Sequence, residues 1–233
     1  RLPNEGSVTY VRMDRGYWVS RHEVTQEAWE RVMDRNPSRF EGGRLPVESV
    51  SWRDARRFCA ELTELEREGK RLPPGYVYRF PTEAEWEYAA RGGAATPFSF
   101  GSAATPDDGN FQGRYSPDTI GGLSPDGRYG TLPVGRFTPN AYGLYAVHGN
   151  VSEWTLDRYW DRLPGGQEIE PVNLSRGRGR TVRGGSWKDS ADRVRSAARQ
   201  GLPAGSERNS LGFRIVLAPE IPALFPVEKE DPP

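Results

Sequence analysis

The sequence predicts one domain of mixed helices and short strands, with its helices confined to the first 92 residues. Three amphipathic segments with helix-capping residues lie in that part, and short strand candidates surround them. Between residues 93 and 150 the chain shows little periodicity and much Gly and Pro. Because 11% of the residues are aromatic, the chain can still build one sizeable core.

The first two helical segments lie between residues 25 and 69. The segment "TQEAWERVMDR" has Thr25 as its N-cap and is expected to end at Asn36 before a proline. The segment "SWRDARRFCAELTELEREG" begins at Ser51, and Gly69 fits the left-handed position after its end. Apolar residues of the second segment recur at intervals of three or four residues, which predicts one buried helix face. They are Trp52, Ala55, Phe58, Cys59, Leu62 and Leu65.

The third helical segment, "PTEAEWEYAARGG", has the capping-box residues Thr82 and Glu85 and ends at Gly92. The strand candidates are "GYWVSRHEV", "VYRFP", "RTVRGG", "RVRSAAR" and "LGFRIVLA". In the last of these, the apolar residues Phe213, Ile215 and Leu217 alternate with Arg214 and Val216. This pattern predicts a half-buried strand whose inward-facing residues are the first three.

Composition excludes several classes of protein. The chain has 32 basic and 32 acidic residues, so a phosphate-neutralising, nucleic-acid-binding role is not expected. One cysteine and two histidines argue against a disulfide, a cysteine-rich zinc site and a multi-histidine metal site. We expect no membrane span, because no apolar run approaches roughly 18 residues. The start carries no signal-peptide pattern, and its first residue, Arg1, fits a fragment.

We expect a domain over residues 1–218 and a Pro-rich acidic tail over 219–233. Within the domain, "NAYGLYAVHGNVSEWTLDRYW" offers Glu153 and carbonyls freed by Gly turns as oxygen ligands for calcium. The alternative is a turn beside an aromatic cluster, with Glu153 in a salt bridge. The clusters "DDGNFQG" and "SPDGRYG" have the same two interpretations, because Asx turns explain them without an ion.

The remaining reactive side chains favour structural roles. Cys59 lies on the apolar face of the second helix, where a lone cysteine is more often a core residue than a nucleophile. His22 and His148 have no serine or cysteine at a spacing that suggests a catalytic pair. An arginine series would either form an anion pocket or pair with carboxylates across a sheet: Arg183, Arg193, Arg195, Arg199 and Arg214.

Six motifs, taken together, resemble one family. They are "YWVSRHEVTQEAW", "NPSRF", "LPVESVSWRDARRFC", "YRFPTEAEWEYAARGG", "PVGRFTPNAYGLYAVHGNVSEWT" and "RGGSW…RSAAR…LGFRIV". In this order, from near Gly16 to Leu217, they look like the formylglycine-generating-enzyme (sulfatase-modifying factor) domain. The resemblance implies an α+β domain with a variant of the C-type lectin fold, little regular structure and a ligand surface near the C-terminal strands.

Enzymes of this family oxidise a sulfatase cysteine with copper that two cysteines hold just after the Gly-Gly-Ser-aromatic motif. Here that stretch reads "GGSWKDSADRVRSAAR" and contains no cysteine. Copper(I) needs soft thiolates, which Lys188, Asp189 and Ser190 cannot replace. We therefore expect no copper and no formylglycine synthesis. The iron-dependent sulfoxide synthases of the family need several histidines, and the two in this chain do not suffice.

Members of the family also bind structural calcium. The resemblance implies a first site of two side chains and two backbone carbonyls: Asn110 and Asp126, with Phe111 and Arg128. A second site would combine the carbonyls of Gly149 and Val151 with the side chain of Glu153. Its first position is usually Asp or Asn after "GLY" and is Ala146 here, a departure that argues against the second site.

The same scaffold is also used without redox chemistry. The variable proteins of diversity-generating retroelements resemble this chain in "RGGSW…RSA.R…LGFR" and vary the solvent-facing residues between these fixed points. We call "RGGSW", "VRSAAR" and "LGFR" the frame, and the candidate surface between residues 187 and 211 the display surface. Its candidate ligand-binding residues are Trp187, Lys188, Asp189, Ser190, Asp192, Arg193, Gln200, Leu202, Ala204, Ser206, Glu207, Asn209 and Ser210.

This hypothesis predicts a non-enzyme that binds a protein or another macromolecule. Within the set, Lys188, Asp189, Gln200, Glu207 and Asn209 should be exchangeable together without loss of stability. The aromatic residues Trp187 and Phe213 should instead be buried. The alternatives are a catalytically inactive accessory domain of a signalling protein and an enzyme of unknown chemistry.

Overall fold

A computed structural model describes residues 5–6, 8–112, 115–116, 119–120 and 129–221. Its elements, in chain order, are β1 (Thr9–Arg12), β2 (Trp18–Val19), α1 (Gln26–Glu30), α2 (Trp52–Glu68), β3 (Tyr76–Arg79), α3 (Glu83–Arg91), β4 (Tyr115–Ser116), β5 (Thr119–Ile120), β6 (Ser152–Arg158), β7 (Gly166–Ile169), β8 (Arg180–Arg183), β9 (Arg199–Leu202), β10 (Leu211–Gly212) and β11 (Val216–Pro219).

The three helices begin at the N-caps that the sequence predicts. The side-chain oxygens of Thr25, Ser51 and Thr82 each accept a hydrogen bond from the backbone N–H three residues further on. Thr82 and Glu85 form a complete capping box, and Gly92 ends α3 in the left-handed conformation. Each cap satisfies a donor that the first helical turn leaves free.

Two predicted helix ends are wrong. α1 ends at Glu30 rather than at Asn36, whose side chain folds back to donate hydrogen bonds to Gln26 and Glu30. After α2, Gly69 keeps a right-handed conformation, and Lys70 takes the left-handed one with φ 55°. The N–H groups of Lys70 and Arg71 donate hydrogen bonds to the carbonyls of Arg67 and Glu66, which is the Schellman motif. The left-handed residue of this motif is therefore Lys70, one position after the predicted Gly69.

The strands form two main sheets and two small ones. The four-stranded sheet has the order β10-β6-β8-β9, and the three-stranded sheet has the order β2-β11-β3. β1 pairs with β7 in parallel, and β4 pairs with β5 in antiparallel fashion. The sequence did not predict β6, because six of its seven residues are buried and its sequence therefore lacks the alternation of a half-buried strand.

Two strand predictions near the C-terminus are wrong. "LGFRIVLA" forms β10 and β11, which lie in different sheets, and Arg214 between them is 1% exposed. The chain changes sheets here, so the predicted alternation does not hold: Val216 is buried, and Leu217 is only partly buried. "RVRSAAR" is not a strand, because residues 191–193 form a 3₁₀ turn and β9 begins only at Arg199.

The main core lies between α1, α2 and the two larger sheets. The Phe213 ring centroid lies 5.6 Å from those of both Phe58 and Phe80, and 6.2 Å from that of Trp29. The predicted buried face of α2 is confirmed for most of its length, but Leu65 is 46% exposed. Leu65 lies in the last turn of α2. Burial of these aromatic rings ties the C-terminal strands to the helical half of the domain.

Two smaller apolar clusters stabilise the loop-rich part of the chain. One combines Trp86 of α3 with Leu144 and Val147, and the other packs Phe98 and Phe111 against residues 191–194. The second cluster places the loops after α3 directly beneath the segment between β8 and β9. The domain therefore holds long irregular segments through side-chain packing rather than through extended sheets.

Candidate functional site

Trp187 anchors the start of the display surface. Its side chain is 3% exposed, and its indole Nε1 donates a hydrogen bond of 3.0 Å to the Asn209 carbonyl. Its backbone N–H donates to the Asn150 carbonyl, also at 3.0 Å. The indole bond ties the end of "RGGSW" to the segment that precedes "LGFR", and the backbone bond ties it to the segment that precedes β6. The two ends of the display surface are therefore joined through one buried tryptophan.

A buried ion pair holds the other end of the frame. Arg214 donates from Nε to Glu153 Oε2 at 2.6 Å and from an Nη atom to Glu153 Oε1 at 2.8 Å. Glu153 also accepts a hydrogen bond of 2.7 Å from the Trp86 indole, and all three residues are at most 1% exposed. Removing one partner of such a pair leaves an uncompensated buried charge, so "LGFR" is strongly fixed.

The carboxylate of Glu23 lies beside this ion pair. Its Oε1 accepts a hydrogen bond of 3.0 Å from the Asn150 side chain. Burial, followed by the nearby charge of Glu153, raises the pKa of Glu23 to about 8. The raised pKa favours the protonated form of Glu23, so that Glu153 supplies the main negative charge beside Arg214.

The other arginines of the frame also pair with carboxylates. Both oxygens of Glu83 bind Arg199, at 2.6 Å each, and Glu87 contacts Arg183. Arg195 binds Glu5 at the start of the described chain. Of the two interpretations of the arginine series, carboxylate pairing is found at Arg183, Arg195, Arg199 and Arg214, but Glu83 and Glu87 lie on α3 rather than across a sheet. The exposed Arg193 lies 3.9 Å from Asp192.

Five candidate side chains of the display surface are exposed: Lys188, Ser190, Arg193, Gln200 and Glu207. Five more are partly buried: Asp189, Asp192, Ala204, Ser206 and Asn209. The Asp189 carboxylate accepts hydrogen bonds from the Ser186 N–H at 2.9 Å and from its hydroxyl at 2.6 Å. Asp189 therefore closes the turn after the glycines and has a structural role that the sequence did not reveal.

For two of the three remaining candidates the expected exposure is wrong: Leu202 and Ser210 are 5% and 8% exposed. The third, Trp187, is 3% exposed. Leu202 ends β9 and belongs to the main core, and the partly buried Ala204 packs against the same core. Trp187 and Phe213 are buried, as expected of the frame. The accessible part of the display surface is thus smaller than predicted.

A shallow depression lies on the described part of the display surface. Gly185, Asp189, Arg193 and Gln200 are among the residues that line a cavity of about 20 Å³, which has room for roughly one water molecule. A larger, mainly apolar groove of about 610 Å³ lies between α1 and α2, and none of its lining residues belongs to the display surface. Small-molecule sites usually occupy roughly 300–1,000 Å³, which is much more than this depression.

The proposed calcium ligands are only partly described. Asp126 and Arg128 lie outside the described residues. Asn110 is buried, and its amide nitrogen donates to the Gly130 carbonyl and the Asn150 side chain, which leaves its oxygen as the atom that would face a cation. Phe111 is buried beside it.

The second proposed calcium site is occupied by protein contacts. Arg214 and Trp86 use both oxygens of Glu153, so the salt-bridge alternative from the sequence is the arrangement found here. Gly149 and Val151 lie in the tightly packed segment before Glu153, and Val151 is 0% exposed. Among the described residues, no group of three or more His, Cys, Asp or Glu side chains is placed to hold a metal.

The cysteine and the two histidines have structural surroundings. Cys59 is buried in α2, and this burial raises the pKa of its thiol. The Nδ1 of His148 bonds to the Val194 carbonyl at 2.7 Å, its Nε2 accepts from the Ser99 N–H, and burial lowers its pKa to about 4. His22 packs against the Tyr145 ring, with centroids 4.6 Å apart. Among the described residues, none of the three is paired as a nucleophile with a base.

The fold is the C-type lectin fold of the formylglycine-generating-enzyme type, with few helices and short, curled sheets. The chain belongs to the family of the sulfatase-modifying factor enzyme 1-like domain, whose model matches residues 3–219. The family predicted from six sequence motifs is thereby confirmed. No helix in the described ranges is long and apolar enough to cross a membrane.

Two solved structures are similar over most of the chain. Treponema denticola variable protein 1 is 30% identical, with a TM-score of 0.74, and the match covers 90% of this chain and 86% of that one. PvdO from Pseudomonas aeruginosa is 27% identical, with a TM-score of 0.77, over 94% of this chain and 86% of that one.

Curated relatives include proteins described as active and as inactive. The mouse inactive C-alpha-formylglycine-generating enzyme 2 is 39% identical over 178 residues, which are 73% of this chain and 48% of that protein. The mouse formylglycine-generating enzyme is 37% identical over 177 residues, 72% of this chain and 43% of that protein. The chain therefore spans about half the length of the curated relatives that it matches.

Proposed function

We propose that this chain is a non-catalytic ligand-binding domain, a variable protein of the type found in diversity-generating retroelements. The observation that carries the proposal is the contrast within residues 187–211. Five exposed side chains project from a segment whose two ends are fixed by Trp187 and by the Arg214–Glu153 pair. Such an arrangement allows the exposed side chains to change without altering the frame. The similarity to Treponema denticola variable protein 1 supports this proposal.

The chemistry of the segment supports a non-catalytic role. It contains no thiol, and the one cysteine of the chain, Cys59, is buried in α2 with a raised thiol pKa. Copper(I) is held by soft thiolate ligands, and the side chains after "GGSW" are an amine, a carboxylate and a hydroxyl. Stoichiometric copper(I) binding that survives Cys59→Ser, or oxidation of a sulfatase-type cysteine peptide, would contradict this part of the proposal.

The ligand that fits this surface is a protein or another macromolecule. The depression between Asp189 and Gln200 holds about one water, so binding must use a broad area rather than a pocket. The charges of the chain are balanced, and the proposal therefore includes no nucleic-acid partner. Structural calcium at Asn110 and Asp126 remains part of the proposal, with a role in fixing loops rather than in binding ligand.

The experiment is a library that randomises Lys188, Ser190, Arg193, Gln200 and Glu207 on yeast and is sorted for binding to lysozyme. The proposal predicts that the library stays folded and that some of its members bind lysozyme more tightly than the parent chain does. The control is the same library in a Trp187→Ala background, which should lose most of its folded, protease-resistant members. The proposal fails if the randomised library unfolds as extensively as this control.

A second candidate is an inactive accessory domain of a larger signalling protein, and the similarity to a mouse relative described as inactive favours the inactivity of this domain. An accessory domain would have no reason to vary at the five exposed positions. Comparison of the gene with copies of the same segment in the surrounding DNA separates the two candidates.

A further inference from the structure

Three aromatic rings form a patch that extends the display surface beyond residues 187–211. The Tyr129 ring centroid lies 4.7 Å from that of Trp187 and 6.0 Å from that of Phe40. Phe40 and Trp187 are 5.7 Å apart, and all three pairs meet edge to face. Tyr129 is 71% exposed, and Trp187 is 3% exposed. The patch therefore has a buried indole as its floor and an exposed tyrosine as its rim.

The backbone around each ring is fixed by hydrogen bonds to buried groups. The Phe40 N–H donates to the buried Glu48 carboxylate at 2.8 Å. The residue after Tyr129, Gly130, accepts a hydrogen bond of 3.0 Å from the buried Asn110 side chain. Trp187 is held through both its backbone and its indole. A surface fixed before binding loses less conformational entropy when a ligand arrives.

Lys188 places a positive charge on this patch. Its Nζ lies 4.8 Å from the centroid of the Trp187 ring and donates a hydrogen bond to the Asn209 side chain. In the ranges of the chain that the structure describes, no carboxylate forms an ion pair with this ammonium group. Tyrosine and tryptophan are over-represented among the residues that dominate binding energy at protein interfaces. A cation beside such aromatic residues can pair with an anionic group of a ligand.

We propose that the patch of Tyr129, Phe40, Trp187 and Lys188 is a binding subsite for a carboxylate next to an apolar side chain on a protein ligand. The apolar group would pack against the exposed Tyr129 ring, and the carboxylate would pair with Lys188. The inference rests on the proposed function and names the chemistry that one part of the surface recognises. It also adds Tyr129 and Phe40, which the sequence did not indicate, to the residues that contact ligand.

The test uses two small probes with the same apolar side chain, N-acetyl-leucine with a carboxylate and leucinamide with a positive charge. Each is titrated to millimolar concentration into ¹⁵N-labelled protein, and the Trp187 indole N–H resonance is followed. N-acetyl-leucine should shift this resonance saturably, and leucinamide should not. Lys188→Glu should weaken binding at least tenfold, and Tyr129→Ser at least threefold. The matched control is Tyr10→Ser on β1, because Tyr10 is 69% exposed but lies outside the patch.

Three results would overturn the inference: no shift, equal shifts with both probes, or an unchanged affinity in Lys188→Glu. A folded state in each variant, verified by its melting temperature, keeps these results interpretable. If the probes fail while the randomised library still yields lysozyme binders, only the subsite is refuted. If the library also loses its folded members, the proposed function itself fails.

Discussion

The contrast between the buried frame and the exposed side chains of the display surface leads to a quantitative prediction. Trp187→Ala removes a side chain that is 3% exposed and leaves the Asn209 carbonyl without its 3.0 Å hydrogen bond. Phe213→Ala removes a ring that is 0% exposed and contacts three aromatic neighbours. Truncating such aromatics costs roughly 3–5 kcal/mol each. In a domain of this size that corresponds to about 2–4 °C of melting temperature per kcal/mol.

The exposed set should behave differently. Substitutions at Lys188, Ser190, Arg193, Gln200 and Glu207 should each change stability by within about 0.5 kcal/mol, because they remove few contacts with the core. The five together should therefore cost less than either aromatic truncation alone.

For Asp189 the sequence and the structure predict different results. The sequence predicts that Asp189 can be exchanged without loss of stability, whereas its hydrogen bonds to Ser186 predict a loss. Its carboxylate caps the turn at Ser186, and Asp189→Ala should cost about 1 kcal/mol, as the loss of a helix N-cap does. The assay is chemical denaturation of Trp187→Ala, Phe213→Ala, Asp189→Ala and the five-fold exposed variant, with the parent as reference. The reasoning is refuted if the five-fold variant loses as much stability as Trp187→Ala.

Three further predictions concern the buried charges and calcium. Arg214→Ala should destabilise the domain by roughly 3–5 kcal/mol in a denaturation assay, because it leaves the Glu153 charge buried; a loss below 1 kcal/mol would contradict this. The pKa of Glu23 is about 8 in the folded state, against 4.5 in the unfolded state. Between these two pKa values the folded state binds more protons, so the free energy of unfolding should fall as pH rises, by at most roughly 1.4 kcal/mol per pH unit. Glu23→Gln should reduce that decline, and an identical pH dependence in variant and parent would argue against a protonated Glu23. If calcium binds at Asn110 and Asp126, the melting temperature should rise with calcium concentration, and Asn110→Ala should abolish this rise. Identical melting curves in chelator and in excess calcium would instead favour turns without an ion.

Local signals in the sequence predicted the helices and the family well. Thr25, Ser51 and Thr82 cap helices because capping depends on a few neighbouring residues that the sequence shows directly. The ends of α1 and α2 were less predictable. At Asn36 the side chain turns back to contact residues six and ten positions earlier, and a contact of that kind is set by the packing of the loop rather than by periodicity.

The display surface was predictable in position but not in the exposure of each residue. Leu202 was expected at the surface because the resemblance places it between the fixed points of the frame, yet β9 pairs with β8 and this side chain belongs to the main core. Asp189 resembles the exposed polar residues around it, and only the fold shows that it caps a turn. Tyr129 and Phe40 are 89 positions apart in the chain, so their joint contact with Trp187 has no signal in the sequence.

The most direct test of the central claim is the sequence of the DNA around the gene, searched for a near-copy of the segment that encodes residues 183–216. The account predicts such a copy beside a reverse transcriptase gene. Its differences should fall on the codons of exposed residues such as Lys188, Arg193, Gln200 and Glu207. The codons of Trp187 and the other buried frame residues should be unchanged. The absence of a copy, or differences spread equally over buried and exposed positions, would contradict the claim that this domain displays a variable surface.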